Sequence, residues 1–481
     1  MLHNPLLQRY RFSQLRPRQI GIYGFIYVAI VSMIVLMNYT VFTTLRSFIF
    51  GDFELPFTMW QAMFYQFLGL QVIILWVWAS YNSGTALTKE ILNKSYIFFK
   101  LLPITPLQKA LGVLFGTNLI AYTFGAFNIG IMAVLAAIAD IRPLWVFYDV
   151  LMILAVAALL NTMTLLLSIN PDAKNSRRIG TLIIIGGGIW ALMTMMGILL
   201  ASGRMQTHFP EEISIKFFSI SLPGMVLFAL ILFYFTGWVL LGILRKFQHE
   251  RESLFTLPGS AIFMVAFEIL TLGVFWPYLA LKSAFYGQRI LCFWALVLVN
   301  LGTLRQLGAY FEHCRKIQKR SAGIILGLVK FFRHTTIFWG ICLYAIWGAA
   351  LFIVARIPRL PAGDLLFPLL NLFGFYLVAL LLLELFVLFR HVHASVKVFL
   401  IFLGMVTILL PIVLFRFLEN EQLYLHSVIG YMANLVTPFL VRGGNASVQW
   451  RVFGVNLLVC ALPLVVIISK YRGFFIGRNT D

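Results

Sequence analysis

Charged residues are scarce in this chain of 481 residues, since only 11% are Asp, Glu, Lys or Arg. Ordinary soluble domains contain about 25%. Hydrophobic residues make up 61% of the chain, and no polar stretch is long enough to form a sizeable soluble domain. The composition therefore excludes an ordinary soluble protein and indicates one that is built within a membrane.

Motifs for common chemistry are also missing from the sequence. It contains no GxxxxGK[ST] phosphate loop, no HExxH and no GxSxG. His391 and His393 come nearest to a metal motif, but residues two apart on a helix face different ways and no carboxylate or cysteine lies nearby. The cysteines are scattered and form neither a disulfide framework nor a metal quartet: Cys292, Cys314, Cys342 and Cys460. We therefore predict no catalytic residue, metal or cofactor in this chain.

Long apolar runs recur from end to end, and most are long enough to cross a hydrocarbon core of about 30 Å. They predict an all-α fold, a polytopic transmembrane bundle with about twelve spans in two six-helix halves, residues 1–248 and 249–481. The eighth run is the weakest because it is short and leads into Arg305. The predicted spans are Ile20–Phe42, Phe57–Ala79, Leu111–Ala137, Leu144–Leu167, Ile179–Leu200, Met225–Leu244, Ala261–Leu281, Ile290–Leu304, Ile337–Val354, Leu365–Phe389, Val398–Phe415 and Val452–Ile468.

The distribution of charge predicts the orientation of these spans. With twelve crossings both termini lie on one side, and most of the 37 Lys and Arg residues fall in segments on that side. The positive-inside rule then places both termini in the cytoplasm. Orientation accounts for the net charge of +20, so nucleic acid is not needed as a partner. The first span is too long for the apolar region of a cleavable signal peptide, and we expect it to be retained.

A corner with helix start and stop signals lies between the second and third predicted spans, in the stretch KLLPITPLQKALG (Lys100–Gly112). Thr105, Pro106 and Gln108 have the spacing of a capping box with proline at the first helical position, which predicts a helix from about Pro106. Pro103 disfavours helix at the residue before it. Phe98 and Phe99 are expected in the membrane interface, with the neighbouring lysines facing water and headgroups.

Polar residues inside the apolar runs have two interpretations each. Glu268 and Glu384 are candidate proton or cation sites, or else acids buried in the bundle and bonded to a neighbour such as Asn300 or Asn371. The sequence favours the second. The GxxxG from Gly112 to Gly116 is explained by close helix packing. Asparagines in the spans are expected to join helices rather than to bind substrate: Asn118, Asn128, Asn161, Asn371 and Asn456.

The block from Ser83 to Gly116 resembles the membrane subunits of ABC transporters of the type-2 exporter class. Those permeases often have a glycine, an acid, a basic stretch and a Leu-Pro-x-Ser/Thr-Pro corner between their second and third spans. The beginning of the chain, Asn4–Arg18, also resembles the N-terminal interfacial helix of that family. The matching positions of the block are Gly84, Glu90, Leu101, Leu102, Pro103, Thr105, Pro106 and Gly112.

The resemblance implies a function. The chain would be the permease subunit of an ATP-driven exporter in the bacterial inner membrane, and ATP and Mg²⁺ would be bound by a separate cytoplasmic ATP-binding subunit. Single six-span subunits are common in the family. A homodimer is therefore an alternative, in which each chain supplies half of a transporter. The implied coupling segment is Gly84, Glu90, Phe98, Phe99, Lys100, Leu102, Pro103, Thr105, Pro106 and Gln108.

Two rival functions come from other classes. An ion- or proton-coupled secondary carrier would depend on Glu268 or Glu384. An intramembrane transferase acting on lipid would need polar catalytic groups gathered at one depth, and the sequence does not show them. Membrane lipid is a partner in every case. The interrupted apolar segment Tyr424–Val441 has the length of a re-entrant or interfacial helix.

Overall fold

The computed structural model describes the chain in several stretches, and most of their residues are helical. These are residues 4–45, 58–92, 99, 101–169, 214–218, 220–249 and 254–276, with the single positions 292, 295, 299, 341, 342, 344, 345, 377 and 465. The chain divides into two compact units. The first comprises Met1–Ile215 and Ser221–Glu250, and the second Lys216–Ile220 and Arg251–Asp481. The predicted division at residues 248 and 249 stays a prediction.

Short signals in the sequence set the helix starts. Asn4 and Thr58 accept hydrogen bonds from backbone N–H groups at the starts of α1 and α3, and proline occupies the first turn of α1, α2, α5 and α7. The helices of the first unit are α1 (Pro5–Gln14), α2 (Pro17–Thr40), α3 (Met59–Val72), α4 (Ala79–Leu92), α5 (Pro106–Thr117), α6 (Leu119–Ile138), α7 (Pro143–Ser168) and α8 (Gly224–Gln248). Helix α9 (Leu257–Phe275) belongs to the second unit.

Two π-helical segments extend these helices. Val41–Leu45 continues α2, and Ile73–Trp78 joins α3 to α4, so that α3 and α4 form one long helix with a wider turn in the middle. In that segment Trp76 donates its indole N–H to the carbonyl of Ile153 in α7, at 2.9 Å. The long helix therefore remains in contact with α7 at the point where its winding changes.

Six helices of the described residues are long and apolar enough to cross a membrane, which makes this a membrane-embedded helical protein. They coincide with the predicted first to fourth, sixth and seventh spans. The predicted fifth and eleventh spans and the segment 424–441 lie outside the described residues, and the eighth, ninth, tenth and twelfth spans are described at only one to four positions each. The count of twelve and the cytoplasmic termini therefore stay predictions. The six helices are Pro17–Thr43, Met59–Thr88, Leu119–Ile138, Pro143–Ser168, Gly224–Gln248 and Pro258–Phe275.

The structure corrects three details of the prediction. The third span is two helices, because the backbone leaves helical geometry at Asn118 (φ −105°, ψ 9°). The N-terminal helix ends at Gln14 instead of Arg18, because Pro17 begins the next helix. The fold is also not purely helical. Strands β1 (Ser214–Phe217) and β2 (Ile220–Pro223) pair in a two-stranded sheet, and the turn between them holds Phe218 at a φ of 46°.

Two apolar clusters hold the first unit together. One is formed by α3, the following π-helical segment, α6 and α7, around side chains such as Phe67, Leu75 and Met132. The other lies where α1, α5 and the end of α8 meet α4 and α7, around Leu6, Phe99 and Ile243. Between spanning helices such side chains stabilise the unit through packing contacts, because lipid tails are as apolar as the side chains. The second cluster surrounds the corner that the sequence singled out.

Asparagines join the helices of the first unit, as predicted for three of them. Asn128 donates to Gln71 Oε1 at 2.8 Å, Asn118 donates to Ser83 Oγ at 2.7 Å, and Ser80 donates to Asn161 Oδ1 at 2.9 Å. Such interhelical bonds contribute about 0.6 kcal/mol each on average. Asn371 and Asn456 lie outside the described residues.

Candidate functional site

The corner at residues 101–108 is built around a complete capping box. Gln108 N–H donates to Thr105 Oγ1 at 3.2 Å, and Thr105 N–H donates to Gln108 Oε1 at 3.0 Å. Pro106 occupies the first turn of α5, as predicted. Across Pro103, the Ile104 N–H donates to the Leu102 carbonyl at 2.8 Å. Backbone and side-chain bonds therefore fix the direction in which the chain enters α5.

Phe99 anchors the segment before the corner. Its side chain is 1% exposed, and its ring centroid lies 5.6 Å from that of Phe247 in α8. Lys109 Nζ lies 5.8 Å from the Phe99 centroid, within cation–π range. Burial lowers the pKa of this lysine. The Phe99 ring belongs to the second apolar cluster, so it packs against protein, and its predicted depth in the membrane interface stays a prediction. Phe98 and Lys100 lie outside the described residues.

Helix α1 packs along α5 in the same direction, and the two glycines of the GxxxG make this possible. A Cβ on Gly112 would lie 2.9 Å from Leu6 Cβ, and one on Gly116 would lie 2.7 Å from Tyr10 Cδ2. Real Cβ contacts are not that short, so only glycine allows this approach. Close packing, the explanation given for this motif, is confirmed, and its partner is α1.

Hydrogen bonds fasten both ends of α1 to backbone carbonyls of α5. Asn4 Nδ2 donates to the Gln108 carbonyl at 2.6 Å, while Asn4 Oδ1 accepts from the Leu6 N–H at 3.0 Å. At the other end, Gln14 Nε2 donates to the Thr117 carbonyl at 2.5 Å. Because both ends are bonded and the middle interlocks, α1 and α5 form one paired element.

An ion pair connects this element to α4. Arg9 in α1 donates to Glu90 Oε1 at 2.8 Å, and the side chains are 52% and 11% exposed. The Tyr10 hydroxyl lies next to this pair, is buried, and makes no hydrogen bond with any described residue. Burial, followed by the charge of Glu90, raises the pKa of Tyr10 to about 12. The acid of the predicted coupling segment therefore faces α1.

Gly84 lies further along α4, where this helix meets α7. A Cβ at this glycine would be in ordinary contact with Thr164 Cβ, at 3.4 Å. One residue earlier, Ser83 accepts the bond from Asn118, which marks the break between α5 and α6. Of the predicted coupling residues in α4, Glu90 therefore contacts α1 and Gly84 lies against α7.

Part of the corner remains open to the outside. Leu101 is 73% exposed and Leu107 is 45% exposed, and Pro103, Thr105 and Gln108 are exposed as well. Leu102 and Pro106 are half-buried beneath them. The arrangement brings no nucleophile and base together, since its groups are leucines, prolines and a capping box. It provides a rigid, partly apolar surface whose base is fixed to α1, α4 and α8.

The structure describes one of the two predicted intramembrane carboxylates. Glu268 is buried in α9 of the second unit, at 6% exposed. Glu384 and the suggested partners Asn300 and Asn371 lie outside the described residues. Within the part of the chain that the structure describes, no group of three or more His, Cys, Asp or Glu residues is arranged to hold a metal ion.

Sequence reasoning missed several residues of this site. Arg9, Tyr10, Lys109 and Phe247 all contribute to it. For the α1 residues the available signal was the GxxxG, because two glycines one turn apart indicate a closely packed partner helix, whereas no signal in the sequence pointed to Lys109 or Phe247. Comparison of the chain with protein-family models, curated proteins and solved structures found no match.

Proposed function

We propose that this membrane protein is the permease subunit of an ATP-driven ABC transporter of the type-2 exporter class. A separate cytoplasmic subunit binds ATP and Mg²⁺, hydrolyses ATP and docks on the corner at residues 101–108. The chain itself performs transport and no catalysis, and the bacterial inner membrane is its proposed location. The observation that carries the proposal is the construction of the corner, a rigid exposed turn fastened to three helices.

A coupling element has to transmit a displacement without absorbing it. The capping box and Pro106 stiffen the entry to α5, and Phe99 holds the preceding segment on α8. The Arg9–Glu90 pair connects α1 with α4. A push on the corner would therefore move α1, α5 and the end of α4 together, which is what coupling to a partner requires.

The exposed leucines supply a docking contact. Leu101 and Leu107 are large, apolar and exposed at the turn, and burying one such side chain contributes about 1.5–3 kcal/mol. Replacing both with serine should weaken binding of an ATPase at least tenfold. Ile220, which is 63% exposed in β2, offers a matched control because Ile220→Ser changes an exposed aliphatic side chain that is not part of the corner.

Affinity purification of the tagged chain from its native host in mild detergent tests the proposal. We expect a stoichiometric nucleotide-binding protein and ATPase activity in the eluate. Both should be reduced in Leu101→Ser/Leu107→Ser, and coupling should be reduced in Pro103→Ala and Glu90→Gln. Pro143→Ala, which also replaces an exposed proline beside a helix start, is the control for loss of a proline. A chain that purifies alone without ATPase activity would contradict the proposal.

An ion- or proton-coupled secondary carrier is the second candidate. Glu268 is a buried carboxylate in a helix of spanning length, and ionisable residues at such positions are candidate ion or proton sites. In that case Glu268→Gln or Glu384→Gln would abolish ion-driven transport in proteoliposomes, while no ATPase would purify with the chain. The two sets of variants therefore distinguish the candidates.

A further inference from the structure

Positive charge is concentrated where α1 turns into α2. Arg11, Arg16 and Arg18 all have exposed side chains there. The first acid of the sequence is Asp52, and no carboxylate among the described residues pairs with any of the three arginines. Arg9 differs, because Glu90 neutralises it. Within the described part of the chain, the corner between α1 and α2 therefore presents three guanidinium groups without a carboxylate partner.

The backbone of this corner is fixed by hydrogen bonds. The Leu15 N–H donates to the Arg11 carbonyl at 2.9 Å and closes α1. In the orientation that satisfies its amide, the Gln19 side chain donates to the carbonyls of Ser13 and Gln14, at 2.9 and 3.0 Å. The first turn of α2 is thus bonded back to the last turn of α1. The arginines are held on a defined turn of the chain.

The level of this corner relative to the membrane follows from α2. The apolar helix Pro17–Thr43 has 27 residues and is about 40 Å long at 1.5 Å per residue. The hydrocarbon core is about 30 Å thick, and headgroups extend it to about 40–45 Å. Arg16 and Arg18, at the very start of the helix, therefore lie at the depth of the phosphates. The positive end of the α2 dipole adds to their charge.

An exposed aromatic residue accompanies the arginines. Phe12 is 78% exposed on α1 and directly follows Arg11. Basic residues beside an exposed aromatic ring are typical of a helix that lies in the membrane interface. A water-facing surface gains nothing from such a ring, whereas the boundary of the acyl chains accommodates it.

We propose that the α1–α2 corner, residues 11–18, binds the anionic headgroups of phospholipids. Arg11, Arg16 and Arg18 bind lipid phosphates, which guanidinium groups match with paired hydrogen bonds, and Phe12 enters the acyl boundary beside them. Continuity with α2 favours lipid over a protein partner, because the start of a spanning helix is already surrounded by headgroups. The inference does not depend on coupling to an ATPase.

Photo-crosslinking in a bilayer tests this site. The full chain is reconstituted in nanodiscs that contain trace photoactivatable phosphatidylglycerol or phosphatidylcholine, and labelled peptides are mapped by mass spectrometry. We expect the anionic probe to label residues 11–18 in preference to the zwitterionic one. Each arginine near an anionic surface should add about fivefold to that preference. Higher ionic strength should reduce the preference.

Matched variants separate charge from shape. Arg11→Gln/Arg16→Gln/Arg18→Gln should abolish the preference for the anionic probe, whereas lysine at all three positions should retain most of it. Arg142→Gln, an exposed arginine between α6 and α7, should leave labelling of the corner unchanged. Equal labelling by both lipids, or unchanged labelling in the glutamine variant, would overturn the proposal. So would crosslinking of the corner to a protein in native membranes in place of lipid.

Discussion

The first two spanning helices of the chain are neighbours in sequence and opposites in burial. In the most apolar window of the Pro17–Thr43 helix only 6% of residues are buried, against 72% in the window of the Met59–Thr88 helix. The first helix exposes large apolar side chains such as Phe25, Met33 and Leu36. The second buries Gln71, Ser80 and Ser83.

The difference shows that the more polar helix is the more buried one. A polar group in hydrocarbon needs a partner within the protein. Gln71 accepts from Asn128, and Ser80 donates to Asn161, so the second helix must be surrounded by α6 and α7. The first helix has a buried amide at Asn38, which donates to Gln66 Oε1 at 2.6 Å, and its long exposed apolar surface can face lipid. In a soluble protein the relation is the reverse, because there the apolar face is the buried one.

Truncating one phenylalanine in each helix gives the largest contrast. Phe67 is 1% exposed and Phe25 is 76% exposed. Phe67→Ala should destabilise the protein by about 3–5 kcal/mol, because it removes contacts and leaves a cavity. Phe25→Ala should change stability by at most about 0.5 kcal/mol, as is usual for exposed sites. Thermal unfolding in one detergent measures both.

The outcome would also locate the neighbours of α2. Equal losses in the two variants would mean that Phe25 packs against protein in the intact molecule, and the comparison between the helices would fail. Met33→Ala, a second exposed position on α2, shows whether such a loss is confined to one side of the helix.

Glycine substitutions test the same difference between packed and exposed helices, with smaller expected changes in stability. Gly116→Ala brings a Cβ within 2.7 Å of Tyr10, whereas a Cβ at Gly24 of α2 meets nothing within 4 Å. Gly116→Ala should cost about 1–3 kcal/mol through forced displacement of α1, and Gly24→Ala should gain up to about 1 kcal/mol from helix propensity. Faster protease cleavage of α1 in Gly116→Ala would show that α1 is displaced from α5. Cleavage at the wild-type rate would contradict the close approach of the two helices.

The corner was predictable because its signals are local. A Thr-Pro-x-Gln spacing determines both the start of α5 and its capping box, and no distant residue is needed. The apolar runs predicted the long helices for a similar reason, since length and composition within one segment are sufficient. The break at Asn118 escaped prediction because Gly116, Thr117 and Asn118 interrupt the apolar run for only three residues, and the run as a whole has spanning length.

Contacts between distant segments could not be read in the same way. Phe99 packs against Phe247, which follows far along the chain, so the residues around Phe99 do not predict this neighbour. Glu90 was singled out, but its partner Arg9 was not. Nothing in either segment specifies the other. The GxxxG predicted that a helix packs closely on α5 without saying which helix.

The Arg9–Glu90 pair should have a small effect on stability despite its short distance. Arg9 is 52% exposed, so water competes for its charge, and partly exposed ion pairs contribute about 0–1 kcal/mol. A double-mutant cycle with Arg9→Gln and Glu90→Gln should give a coupling energy in that range. A coupling above about 2 kcal/mol would show that the pair is desolvated in the intact protein. Measuring ATPase activity in the same four proteins tests separately whether the pair contributes to coupling.

Tyr10→Phe should have the smallest effect at neutral pH and a larger one in alkali. The buried hydroxyl has no hydrogen-bond partner among the described residues, so its removal should leave stability unchanged or raise it slightly.

The pKa of Tyr10 is raised to about 12 in the fold, mainly by burial, against about 10 in an unfolded chain. The folded state therefore retains the proton longer. Wild-type stability from this residue is present below about pH 10 and is lost as pH rises towards 12. Phenylalanine cannot ionise, so Tyr10→Phe should become progressively more stable than the wild type across that interval. Paired thermal melts of the two proteins cancel the other tyrosines, and a constant difference at all pH values would show that the hydroxyl is in contact with water.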